Sequence, residues 1–130
     1  MDTRSKIVGP GAAVELARSR RAAGLRVAVA AGYFDPLLAA HAERLEELAR
    51  DGQVLFLAIE DPPRPLLEAR ARAELVAGLR VVDCVTLVGS RSSGFIETLG
   101  PDAVFLEREA DSRRTQELIE HVHRRQKETR

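Results

Sequence analysis

Gly32-Tyr33-Phe34-Asp35-Pro36-Leu37-Leu38-Ala39-Ala40-His41 joins two segments of opposite character. Before it, Arg26–Ala31 (RVAVAA) is a short, nearly all-apolar run, the pattern of a strand buried on both faces. After it, Ala39–Arg50 (AAHAERLEELAR) gathers Ala42, Leu45, Leu48 and Ala49 on one helical face, with Glu43, Arg44, Glu46 and Glu47 mostly elsewhere, and Asp51-Gly52 ends it. A strand that runs through a glycine turn into a helix opens a βα unit.

The rest of the chain repeats that alternation. Val54–Ile59 (VLFLAI) reads as a second buried strand, and Asp61-Pro62-Pro63-Arg64-Pro65 as a stiff loop, since proline forbids regular structure there. Leu66–Leu79 returns to helical spacing, and Val81–Val88 (VVDCVTLV) is a third strand. Ser92–Leu99 suits a short helix, Pro101-Asp102 opens a fourth strand at Ala103–Leu106, and Asp111–Lys127 is a long charged helix. Upstream, Gly11–Ala23 is rich in helix formers and stops at Gly24. No hairpin signal separates the strands. The expectation is a three-layer, Rossmann-like α/β fold with a parallel sheet of four to five strands, in a single domain over 1–130. Ligands of such sheets bind at the carboxyl ends of the strands, beside the switch in strand order.

Composition narrows the function classes. The 130 residues carry 20 Lys+Arg against 20 Asp+Glu, so the basic excess of a nucleic-acid binder is missing. Aromatic residues are 4% with no Trp, too few for a base-stacking platform. The single cysteine, Cys84, lies in an apolar stretch, no apolar run reaches the roughly 18 to 20 residues of a membrane span, and Met1–Pro10 lacks the apolar stretch of a signal peptide. A cytoplasmic protein with no nucleic-acid and no membrane partner is expected.

The chemistry concentrates in the opening stretch. A glycine at a strand end lets backbone approach a ligand, and the helix N-terminus beyond it offers free N–H groups to phosphate. His41, in the first turn, can stabilise charge on a phosphoryl oxygen. The plainer alternative is an ordinary strand-to-helix turn in which Asp35 caps and His41 lies on the surface. Glu60-Asp61 reads as a solvated acidic pair rather than a metal site, and His121 and His123 point to different helix faces; no metal site is expected.

Gly32, Phe34, Asp35 and His41 match in type and spacing the G-x-F-D-x-x-[HT]-x-G-H signature of the cytidylyltransferase-like nucleotidyltransferase superfamily, which this chain resembles. Arg64-Pro65-Leu66, Arg72-Ala73-Glu74-Leu75-Val76, Val82-Asp83-Cys84-Val85 and Pro101-Asp102 follow in the family's order, so the motif-bearing part runs over about 26–106, with the C-terminal helix at about 111–127. The resemblance is nearest to the adenylyltransferase domain of ADP-heptose synthase and to glycerol-phosphate cytidylyltransferases. It implies transfer of a nucleotidyl group from ATP or CTP, with Mg²⁺, to a small phosphorylated sugar or polyol, with release of pyrophosphate, and it implies a homodimer. By the same resemblance Gly32, Tyr33, Phe34, Asp35, His41 and Arg72 hold the nucleotide, and His41 and Arg72 act on its phosphates.

The sequence also departs from that pattern. Leu38 stands where the first histidine or threonine belongs, and Ala40 where the glycine belongs. After Pro101-Asp102, Leu106-Glu107-Arg108-Glu109-Ala110 replaces a lysine- and glycine-rich run and is expected to turn two carboxylates toward the anion. The last motif survives at best as Asp111-Ser112-Arg113-Arg114-Thr115, on a shorter connection. Lost or strongly reduced activity is therefore expected, the alternative being a non-catalytic nucleotide-binding or protein-interaction module on the same fold.

Overall fold

The apolar run ahead of the glycine turn forms strand β1 (Val27–Gly32), and all six of its residues are buried. In this computed structural model, which describes residues 2–50, 52–90 and 92–128, β1 lies at the middle of a parallel sheet. It pairs on one side with β2 (Val54–Glu60) and on the other with β4 (Ala103–Leu106), while β2 carries β3 (Cys84–Gly89) on its far edge. The order is β3-β2-β1-β4. Helices α1 (Pro10–Ala22), α2 (Ala39–Ala49), α3 (Ala69–Ala77), α4 (Ser93–Leu99) and α5 (Arg108–Glu128) complete it.

Alternate residues of β1, β2 and β3 feed two cores. Ala28 and Ala30 of β1 with Leu55, Leu57 and Ile59 of β2 meet Leu45 and Leu48 of α2 and Ala73 and Val76 of α3. Val27, Val29 and Ala31 with Phe56 and Ala58 meet Ala13 and Ala17 of α1 and Leu99 of α4. Each fully buried Leu, Ile or Phe contributes about 2–3 kcal/mol, and small alanines in α1 and β1 let the layers approach closely. The three-layer parallel architecture is the one expected, with four strands.

Several boundaries move, each for a local reason. The helix expected from Leu66 begins only at Ala69, because the amides of Leu66 and Leu67 donate to the Asp35 carboxylate at 2.6 and 2.8 Å. The third strand starts at Cys84 rather than Val81, since Val82 closes a turn onto Leu79 and the Asp83 carboxylate takes the Leu55 N–H. The last helix starts at Arg108, three residues before the expected Asp111. A 3₁₀ turn at Thr3–Lys6, capped by the Asp2 carboxylate, leads into a parallel bridge from Ile7 to Val85 that the sequence reading left unassigned. Of the Asp51-Gly52 stop, Asp51 lies outside the described residues and Gly52 sits at φ +74°.

The chain winds from β1 outward to β3 by way of α2 and α3 on one face. It then returns past β1 to β4 by way of α4 on the other. The loops after β1 and β4 thus diverge at the switch point, and the crevice between them opens at the carboxyl edge of the sheet. Among the described residues no helix is long and apolar enough to cross a membrane.

Candidate functional site

The turn after β1 is built to present amides. Phe34 adopts φ +48°, the left-handed region that costs a side-chain-bearing residue about 1 kcal/mol. That conformation turns the successive N–H groups of Tyr33 and Phe34 toward one point, a concavity suited to an anion. The Phe34 ring, 1% exposed, belongs to the core beneath and lies 5.7 Å from the His41 ring. The N-cap of helix α2 is Leu38, not Asp35. The Leu38 N–H donates to His41 Nδ1 at 3.0 Å, so the imidazole performs the returning half of a capping box. With Nδ1 accepting, the proton of the neutral ring resides on Nε2. His41 is 1% exposed, which replaces the surface alternative with a buried side chain aimed into the crevice.

What meets those groups is a carboxylate of the same chain. Asp111, in the first turn of α5 and 0% exposed, accepts through Oδ2 from the Tyr33 N–H at 2.8 Å and the Phe34 N–H at 3.3 Å. Its Oδ1 lies 2.9 Å from His41 Nε2, although the ring N–H is not aligned on it as a directional hydrogen bond requires, and 3.4 Å from an Arg114 nitrogen. Gly32 is indispensable to this approach, because a Cβ there would collide with Asp111 Oδ2.

The carboxylates expected to crowd the anion lie elsewhere. Glu107 turns to Arg44 at 2.7 Å, an ion pair that raises the Arg44 pKa, and Glu109 is exposed. The carboxylate that reaches the Tyr33 and Phe34 amides is Asp111 instead.

The remaining expected residues brace the turn. Arg72, 1% exposed, donates from Nε to the Leu67 carbonyl at 3.0 Å, from one terminal nitrogen to the carbonyls of Tyr33 (3.0 Å) and Glu60 (2.7 Å), and from the other to Asp61 at 2.8 Å. A guanidinium so committed ties the turn, the end of β2 and the proline loop together; it lies behind the crevice rather than in it. Asp35 fixes the same loop through Leu66 and Leu67, and its carbonyl accepts from the Thr115 hydroxyl at 2.7 Å, docking α5. Glu60, expected to be solvated, is 1% exposed: it accepts from the Ser92 hydroxyl at 2.9 Å and takes Arg108 in a two-pronged pair at 2.8 and 3.2 Å, which raises the Arg108 pKa. Between turn, proline loop and α5 lies a cleft of about 450 Å³ that includes Tyr33, Asp35, Arg64, Ser112 and Thr115.

No family model matches the chain. Individual relatives do. The chain is 31% identical over 118 residues to the bifunctional protein HldE of Azorhizobium caulinodans, 78% of this chain aligning with 25% of that protein. It is 34% identical over 100 residues to the FAD synthase of Methanohalophilus mahii, covering 65% of this chain and 70% of that enzyme. The chain belongs to the cytidylyltransferase-like nucleotidyltransferase superfamily. A solved structure, the lipopolysaccharide core biosynthesis protein from Thermoplasma volcanium, shares the fold of this nucleotidyltransferase relative at a TM-score of 0.57 and 24% identity, over 62% of this chain and 73% of that one. The chain thus spans a quarter of HldE and most of the length of the FAD synthase.

Within this superfamily chain the quoted motifs divide by sheet edge. Gly32, Phe34, Asp35, His41 and Arg72 gather at the carboxyl edge. Asp83 and Asp102 lie at the amino edge, where their carboxylates take the N–H groups of Leu55 at 3.0 Å and Val27 at 2.8 Å and pin strand register. The residues that sequence reasoning did not place at the site are Asp111, Arg114 and Arg64. The family comparison of the last motif pointed at the right segment, but nothing in the spacing shows which side chain enters the crevice. For Mg²⁺ the side chains present do not form a site of their own: Asp35 and Glu60 are satisfied by amides, a hydroxyl and Arg108, and Asp61 holds Arg72. Among the described residues no group of three or more His, Cys, Asp or Glu could hold a metal. Any such ion would be carried by nucleotide phosphates.

Proposed function

We propose that this chain is a nucleotide-binding nucleotidyltransferase relative in which nucleotidyl transfer to a small phosphorylated acceptor is lost or strongly reduced. The observation that carries this reading is the convergence of the Tyr33 and Phe34 amides and His41 Nε2 on one buried anion at the switch point of the sheet. In the relatives' chemistry such donors hold phosphoryl oxygens and neutralise charge that grows on them during displacement. His41 is the group here that would touch the nucleotide phosphate, and Arg72 positions the turn from behind. Arg64, exposed at the rim of the cleft, is free to meet phosphate from solvent.

Two features argue for diminished turnover. Leu38 supplies no side-chain donor where a second one belongs, and loss of one such donor costs on the order of 10² to 10³ in rate. Asp111 places negative charge where the phosphate would sit. Both also suit the alternative, a binding module without chemistry. Calorimetric titration with Mg²⁺-ATP and Mg²⁺-CTP, paired with a pyrophosphate-release assay over sugar- and polyol-phosphates, separates the two. Weak binding with slow release supports impaired transfer; weak binding with none supports the module. Submicromolar affinity for either nucleotide overturns the impaired reading.

A further inference from the structure

We propose that Asp111 is a built-in occupant of the anion cradle, and that α5 must swing its first turns off the β1–α2 turn before a phosphate can enter. This deepens the nucleotide-binding reading and rests on it. The carboxylate satisfies both amides of the concavity, lies at ion-pair distance from His41 and Arg114, and is fully shielded from water. Those are the contacts an oxyanion of a phosphate makes with amides, imidazole and guanidinium. A second anion cannot use the same cradle, because Asp111 Oδ2 already accepts from both amides.

The occupant rides on a movable part. Its attachments include the Thr115 bond to the Asp35 carbonyl, the Arg108–Glu60 pair and, just before the helix, the Glu107–Arg44 pair and the Glu107 N–H to the Ala31 carbonyl. Arg108 is half exposed but Glu60 is buried, so this pair holds the start of α5 and forms part of the cost of moving it. The His41 N–H is poorly aligned on the carboxylate, so an oxyanion that brings the acceptor onto the N–H axis gains a bond that Asp111 leaves unmade. Ligand and α5 therefore compete for the same donors, and nucleotide affinity is set by the cost of displacing Asp111.

The test titrates inorganic pyrophosphate, ATP and CTP into wild type and Asp111→Ala by calorimetry, with circular dichroism to establish folding. The variant is expected to bind pyrophosphate at least tenfold more tightly than wild type; a folded variant with no gain overturns the proposal. In wild type, amide resonances of Tyr33 and Phe34 should shift under pyrophosphate only together with those of Asp111–Thr115. Shifts in the turn with α5 unmoved also overturn it, and this measurement stands if the variant does not fold. Pyrophosphate gain in Asp111→Ala without binding of ATP or CTP leaves the displaced carboxylate standing and sinks the nucleotide reading. Nucleotide binding to wild type with α5 in place does the reverse.

Discussion

Arg72 shows how a charged residue can serve a binding site without touching the ligand. Four acceptors from three segments share its guanidinium. A lysine offers one nitrogen and cannot span them. Arg72→Lys is expected to lower stability by about 3 kcal/mol, read by urea unfolding, because it strands buried carbonyls as well as a charge. Leu38 gives the opposite kind of prediction. Leu38→His with Ala40→Gly should strengthen nucleotide binding measured by calorimetry, with a further gain on adding Asp111→Ala; no gain in the triple variant means that the turn cannot accept phosphate. Cys84 supplies a pH test. Burial pushes its thiol up to about 11, so the folded state holds a proton that the unfolded chain has released above pH 9. Stability from this source is complete below about pH 9 and falls as pH rises through 11. Relative to Cys84→Ala, wild type should lose roughly 1 kcal/mol between pH 8 and pH 10.

At the level of elements, the ends of helices carry most of the information that spacing alone could not. The order of strands and helices was legible because β1, β2 and β3 are apolar runs bounded by glycine, proline or acid, and because α2 has one apolar face. The starts of α3 and β3 were not, since they are set by the Asp35 and Asp83 carboxylates capturing amides more than 25 residues away in sequence. Helix α4 stops at Gly100, which takes φ +59° and ψ +51°. Gly100→Ala should cost about 1 kcal/mol through that conformation, as measured by thermal unfolding. Helix α5 began early because Glu107, read as loop, accepts the Asp111 N–H at 2.8 Å and leads the chain directly into helical turns.

At the scale of the molecule, β1, β2 and β3 each feed both hydrophobic cores, so neither face can melt alone. A single calorimetric transition whose enthalpy equals the van't Hoff value is expected. The site was legible in part for the same architectural reason: a parallel sheet of this order has one switch point, and Gly32 and His41 flank the turn that follows the strand beside it. Asp111 was not legible, because its place depends on the direction in which a terminal helix leaves β4, and an exposed charged helix carries no periodic signal for where its first acid points. The departure from the family pattern led to an expectation of Glu107 and Glu109 near the turn; the path of α5 brings Asp111 there instead.

The contacts of α5 with the cradle and its turn, through Asp111 and Thr115, fall near its start, and the side chains of His121 to Arg125 are exposed. At about 1.5 Å of rise per residue, roughly 25 Å of rod extends beyond Asp111. A tilt that lifts Asp111 off the cradle about the Thr115 contact sweeps the distal end, several times farther from that contact, through a proportionally longer arc. The rod thus works as a long lever, and a fluorophore at its tip would magnify what happens at the cradle into a readable signal.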